Sequence, residues 1–112
     1  MRAATAGEGR ALVSVFPQTS SLTAAAVAVA SHLDVPPQRI LQPVSHAERR
    51  RRHIALYLAH VVRGVAIKKL AREAGLSPRQ TRRVIGEIED RRDDPAVDAT
   101  VSRLEEAVAC AS

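Results

Sequence analysis

The side chains in this 112-residue chain with most to offer a ligand are arginines, in two groups. Arg49, Arg50, Arg51 and Arg52 are consecutive, and Arg79, Arg82 and Arg83 recur at helical spacing with Gln80 among them. A guanidinium is always charged and donates in a planar fork that matches a phosphate or the O6/N7 edge of guanine; a glutamine amide can pair with adenine in the same bidentate way. Such chemistry recognises a polyanion and breaks no bond. Four successive arginines near a helix start repel one another and oppose the helix dipole, each at a cost of about 0.3 to 1 kcal/mol. Phosphates relieve that strain, and an arginine at the approach to a helix can enter a minor groove.

The elements that must carry these groups follow from apolar spacing. Ile67, Leu70, Ala71 and Ala74 form one stripe and leave Lys68, Lys69 and Arg72 outside, which predicts a helix closed by Gly75. Ser77 can cap the next helix and Pro78 suits its first position. There Thr81, Val84, Ile85 and Ile88 point inward while Arg79, Gln80, Arg82 and Arg83 stay wet. This is a helix-turn-helix whose second helix is available to a major groove, with Lys68 and Lys69 positioning the first.

Upstream, Ser20 or Ser21 starts a helix that runs to about Leu33, where Asp34-Val35-Pro36-Pro37 breaks it. A short helix over 37–41 stops at Pro43, and Ser45 with Glu48 has capping-box spacing. The long helix it opens continues through Ile54, Leu58, Val61 and Val62 to Gly64. Downstream, Asp93-Asp94-Pro95 begins a last helix with Val97, Val101, Leu104 and Val108 on one face and Asp98, Glu105 and Glu106 outside. The expectation is a flexible leader over residues 1–20 and one compact all-α domain of about six helices over 21–109, with room for no catalytic second domain.

Composition narrows the ligand. Phe16 and Tyr57 are the only aromatics, so bases of a single strand have almost nothing to stack on, and duplex DNA is the better fit. Residues 46–92 hold 13 Lys/Arg against 5 Asp/Glu and the remainder 4 against 7, which concentrates the net charge of +5 on one region. Cys110 is the sole cysteine, which excludes a disulfide framework and a Cys-based metal site. His46, His53 and His60 recur every seven residues, about 10.5 Å along a helix axis, whereas zinc needs ligands near 2 Å. Glu87, Glu89 and Asp90 read as a solvated face or as local partners of Arg91 and Arg92, and no nucleophile stands beside a base, so no enzyme, cofactor or metal is expected. The apolar run Leu22 to Ala30, preceded by Arg2 and Arg10, has some likeness to a signal peptide. It is too short to span a bilayer and continues as a helix, so the expected location is the cytoplasm, on the nucleoid, with no membrane partner.

The order of elements resembles the C-terminal DNA-binding domain of the bacterial replication initiator DnaA over about residues 22–108. Val29-Ala30 through Val35 and Ile40-Leu41 resemble that family's opening helices. Arg52-His53-Ile54-Ala55-Leu56-Tyr57-Leu58-Ala59 is similar to its Arg-Gln-Ile-Ala-Met-Tyr-Leu-Ala segment, and Leu70-Ala71-Arg72-Glu73-Ala74-Gly75 to its Ile-Gly-Arg-Ala-Phe-Gly. Ile88-Glu89-Asp90 with Arg91 to Pro95 resembles the tail of its last long helix. Where the family carries Arg-Asp-His-Thr-Thr-Val, this chain has Leu76-Ser77-Pro78-Arg79-Gln80-Thr81. The resemblance therefore puts Ser77, Pro78 and Arg79 at the family's base-reading positions and Arg50 at its minor-groove position, with a changed donor and acceptor pattern.

No Gly-x-x-x-x-Gly-Lys-Ser/Thr occurs, so no nucleotide partner is expected. The resemblance implies a stand-alone relative without the ATPase module that controls replication initiation by occupying sites on double-stranded DNA. Gly75 to Gln80 looks as much like a general transcription-factor motif, which makes a transcriptional regulator the alternative. A second alternative is an interaction module whose acidic last helix docks on a replication-initiation or regulatory protein.

Overall fold

Residues 20–111 are described by a computed structural model, and they form an all-α domain of six helices with no strand among them. The expected leader lies outside the described residues except for Ser20, whose hydroxyl accepts from the Thr23 amide at 2.9 Å and caps α1 (Ser21–Leu33). Six of the residues in α1 are buried, chiefly alanines, which lets neighbouring helices approach closely. Asp34 ends α1 in the left-handed region at φ 59°, with its amide turned back to the Ala30 and Ser31 carbonyls. A short polar side chain tolerates that conformation better than a branched one. The one-turn α2 (Gln38–Leu41) buries Ile40 completely.

Helix α3 (His46–Val61) is the centre of the domain: Ala55 to Ala59 are five consecutive buried residues, so every side of that stretch meets protein. Its start is fixed by the expected capping box. Ser45 Oγ accepts from the Glu48 amide at 3.1 Å, and Glu48 Oε1 accepts from the Ser45 and Val44 amides at 3.2 and 2.9 Å. The other carboxylate oxygen takes Arg39 Nη1 at 3.2 Å, which ties α2 to α3. The two amides, aided by Arg39, hold the Glu48 carboxyl below its ordinary value of 4.5.

The chain then turns through Gly64, at φ 69°, into α4 (Ile67–Ala74), α5 (Pro78–Arg91) and α6 (Pro95–Ala111). Gly75 at φ 72° closes α4, and the Leu76 amide returns to Ala71 O at 2.9 Å. Leu70, Ala71, Ala74, Thr81, Ile85 and Ile88 are buried, and α4 and α5 pack as the helix-turn-helix. On α6, Val101, Leu104 and Val108 are buried as expected.

Long-range polar ties hold the layers. Glu73 Oε1 on α4 accepts from the Leu22 amide at 3.0 Å, placing a carboxylate on the first turn of α1 where the helix dipole favours it. Arg92, just past α5, donates from Nε to Asp98 at 2.7 Å, from Nη1 to Glu105 and the Tyr57 hydroxyl at 2.9 and 3.1 Å, and from Nη2 to Ser102 and Glu105 at 3.0 and 3.3 Å. This corrects the expectation of solvated Asp98 and Glu105 and of Glu87, Glu89 and Asp90 as partners of Arg92. The turn after α5 folds α6 back over the guanidinium, so its acids come from the following helix.

Arg92→Met should lower the unfolding free energy by about 2 kcal/mol and Tyr57→Phe by about 1 kcal/mol in urea titrations, because charged and neutral hydrogen bonds are lost respectively. A parent-like midpoint for Arg92→Met would remove this node from the fold. Glu48 contributes stability that is complete above its unfolded value of 4.5 and fades as pH falls through the lower folded value. The deficit of Glu48→Gln should thus be widest at neutral pH and shrink in acid; a deficit that is flat with pH would contradict the assignment.

Candidate nucleic-acid interface

Helix α5 presents Arg79, Gln80, Arg82 and Arg83 to solvent because Thr81, Ile85 and Ile88 anchor its opposite side. On α3 the inward stripe runs through Glu48, Arg52 and Leu56, which leaves Arg49 and Arg50 exposed and Arg51 partly covered. The start of α3 meets α5 beyond Arg83. A cleft of about 190 Å³ between the first turns of α3 and the second half of α5 is lined by His46, Arg49, Arg50, His53, Glu87 and Arg91. Arg83 lies one turn before Glu87, with Nε 3.8 Å from its carboxylate. Arg79 is two turns before Glu87, about 12 Å along the axis and comparable to the width of a major groove.

Most of the cations here have no internal counter-charge. Arg49, Arg50, Arg51, Lys68, Lys69, Arg79, Arg82 and Arg91 form no ion pair among the described residues, whereas Arg83 has one loose exposed pair. Exposed pairs of that kind contribute little, so Arg83 is free to turn to an anion. Lys68 and Lys69 stand exposed on the first turn of α4.

Three residues expected at the site have other engagements. Arg52 donates from Nη2 to Ala74 O at 2.7 Å, and its Nε is buried without a partner. Its Cα lies on the inward stripe of α3, three and four residues before the buried Ala55 and Leu56, so the guanidinium reaches along the core to the carbonyl end of α4. Ser77 and Gln80 cap α5 reciprocally: the Gln80 amide donates to Ser77 Oγ at 3.1 Å, and the Ser77 amide to Gln80 Oε1 at 3.0 Å. The side-chain NH2 of Gln80 has no partner in that box, but a bidentate pairing with adenine would need its carbonyl as well. Pro78 is exposed at the helix start.

Four residues of the cleft lie outside the site expected from the sequence: His46, His53, Glu87 and Arg91. Arg91, read there as a local partner of acids, follows Glu87 by one turn and lines the cleft with Arg50. His53 is half-buried; burial pushes its imidazole below the ordinary value of 6.5, with Arg52, Arg49 and His46 adding to the fall and Glu87 opposing it. That fall favours the uncharged ring. Its place was legible as the residue one turn after Arg49, but its burial was not. His60 is turned away, its Nδ1 2.8 Å from Val65 O.

Among the described residues no group of three His, Cys, Asp or Glu could hold a metal, and no helix is long and apolar enough to cross a membrane. The chain matches no protein-family model, no curated protein and no solved structure.

The arginine run should split in a stability assay. Arg52→Ala should cost about 1.5 to 3 kcal/mol, since it removes a charged donor from the end of α4. Arg49→Ala and Arg50→Ala should stay within about 0.5 kcal/mol of the parent. Equal effects at all three positions in urea unfolding would show that Arg52 is a surface residue like its neighbours.

Proposed function

We propose that this chain is a double-stranded DNA-binding protein of the helix-turn-helix type, in which α5 enters the major groove and the α3 arginines hold the flanking backbone or an adjacent minor groove. The observation that carries the reading is the set of exposed arginines with no ion pair among the described residues, Arg49 and Arg50 at the start of α3 and Arg79, Arg82 and Arg91 along α5. Like charges gathered on one surface raise the free energy of the isolated protein, and a phosphate backbone lowers it.

Arg79 and Arg82 are the principal readers. A guanidinium on guanine O6 and N7 discriminates by about 1 to 3 kcal/mol per contact. Arg49, Arg50 and Arg51 position the protein by phosphate contact, and Arg50 stands where the resemblance to the DnaA domain would put a minor-groove arginine. That resemblance supports control of replication initiation by site occupancy, with Arg79 in place of the family's polar readers.

The reading as a transcriptional regulator is favoured by one feature: Ser77, at a base-reading position of the resemblance, is engaged in the cap of α5. The docking-module reading loses support, because two of the acids it needs on the last helix, Asp98 and Glu105, serve Arg92. The protein acts by binding, as a non-enzymatic, cofactor-free regulator at the chromosome.

Selection of bound duplexes from a random pool should return a defined motif for the parent and a flattened one for Arg79→Ala. An unchanged motif would take Arg79 out of base reading, and no retained duplex at physiological salt would overturn the function itself. The Arg49→Ala, Arg50→Ala double variant should bind every sequence more weakly, with the salt slope reduced by about one unit per lost phosphate contact. Genome-wide occupancy at the origin or at promoters separates the two regulatory roles.

A further inference from the structure

A second cleft, of about 280 Å³, opens on the other side of Arg50 and Arg91, where α3, the end of α5 and the start of α6 meet. Its floor is aliphatic: Ile88 and Val101 belong to the core, and the half-buried Ile54 and Val97 pack against it. Arg50 and Arg91 line it, both exposed and both without an ion pair among the described residues. Pockets that enclose a drug-sized ligand start at about 300 Å³, so this one suits one or two apolar side chains carried on a larger partner.

The charge beside it selects what carries them. A neutral or basic segment would leave two guanidiniums facing it unpaired, whereas an acidic one supplies carboxylates in the geometry arginine favours. We propose that this cleft docks an acidic segment of a partner protein, which inserts an apolar anchor residue between Ile54 and Val97 and sets carboxylates against Arg50 and Arg91. The apolar anchor supplies affinity and the flanking acids supply selectivity.

Arg50 also belongs to the surface assigned above to DNA. Partner and duplex then exclude one another, and an acidic protein can lift this one from its site. That consequence rests on the DNA-binding reading; the docking itself does not.

The test is selection from a phage-displayed library of random dodecapeptides on the full chain, with affinities then measured by fluorescence anisotropy in the absence of DNA. Enriched peptides should carry a large apolar residue flanked by Asp or Glu. They should lose at least tenfold in affinity for Arg91→Glu, an exposed site whose substitution leaves the core intact. Val97→Asp, shown folded by its urea transition, should lose them as well. No enrichment, or peptides that bind Arg91→Glu as they bind the parent, would overturn the proposal. So would a Val97→Asp variant, folded by its urea transition, that binds the selected peptides as the parent does. A selected peptide should also compete with duplex for the parent. A parent that binds peptide but no duplex would sink the DNA reading alone.

Discussion

The crossing of α3, α5 and α6 depends on the guanidinium of Arg92. One planar group contacts three helical neighbourhoods at once: Tyr57 on α3, Asp98, Ser102 and Glu105 on α6, and its own position at the end of α5. The two carboxylates raise the affinity of Arg92 for its proton, a group already charged at any working pH, so the gain lies in geometry and not in ionisation. Five donor contacts in a fixed fork leave the end of α5 little freedom to rotate relative to α3. That matters for the proposed DNA contact, because the arginines of α3 and those of α5 could address one ligand only while the crossing of the two helices is held.

A second tie restrains the same crossing from the other end. Arg52 reaches from α3 to the carbonyl that ends α4, immediately before the turn into α5. Arg92 and Arg52 thus restrain opposite ends of α5, one directly and one through the turn. The division of cations follows. Arg52 and Arg92, whose positions face inward, are bound by a carbonyl and by acids, whereas Arg49, Arg50, Arg79 and Arg82, which face outward, form no ion pair among the described residues. A basic sequence of this sort can hold a rigid fold and an unsatisfied surface together because the two tasks fall to different residues one helical step apart, as with Arg52 and Arg51.

What the sequence made legible was whatever acts within about one helical turn. The Ser45 and Glu48 box, Gly75 in the left-handed region, Ser77 as cap with Pro78 behind it, and the buried faces of α5 and α6 are all encoded by residues no more than four apart, where helical geometry alone dictates the contact. The ties that orient the site lie beyond that range. Arg92 and Tyr57 are separated by 35 residues, Arg52 and Ala74 by 22, and Glu73 and Leu22 by 51. An arginine in a run of four carries no mark of which member turns inward until the register of α3 against α4 is known. The acids of α6 likewise read as solvent-facing, since nothing local reveals that the chain folds them over Arg92.

On the proposed DNA-binding reading, the cap of α5 sets a competition over which residues can read bases. Gln80 satisfies the Ser77 amide, and Ser77 satisfies Gln80's, so that using either side chain on a base edge exposes a helix-end donor. Losing such a cap costs about 0.5 to 2 kcal/mol, against the 1 to 3 kcal/mol that a good bidentate contact returns. The net gain at Gln80 is therefore small or absent. Arg79, between the two capping residues but outside their hydrogen bonds, would meet a base without that loss. Discrimination on this helix should accordingly rest on guanidinium and guanine, with Gln80 serving chiefly to keep the start of α5 rigid enough for Arg79 to be placed.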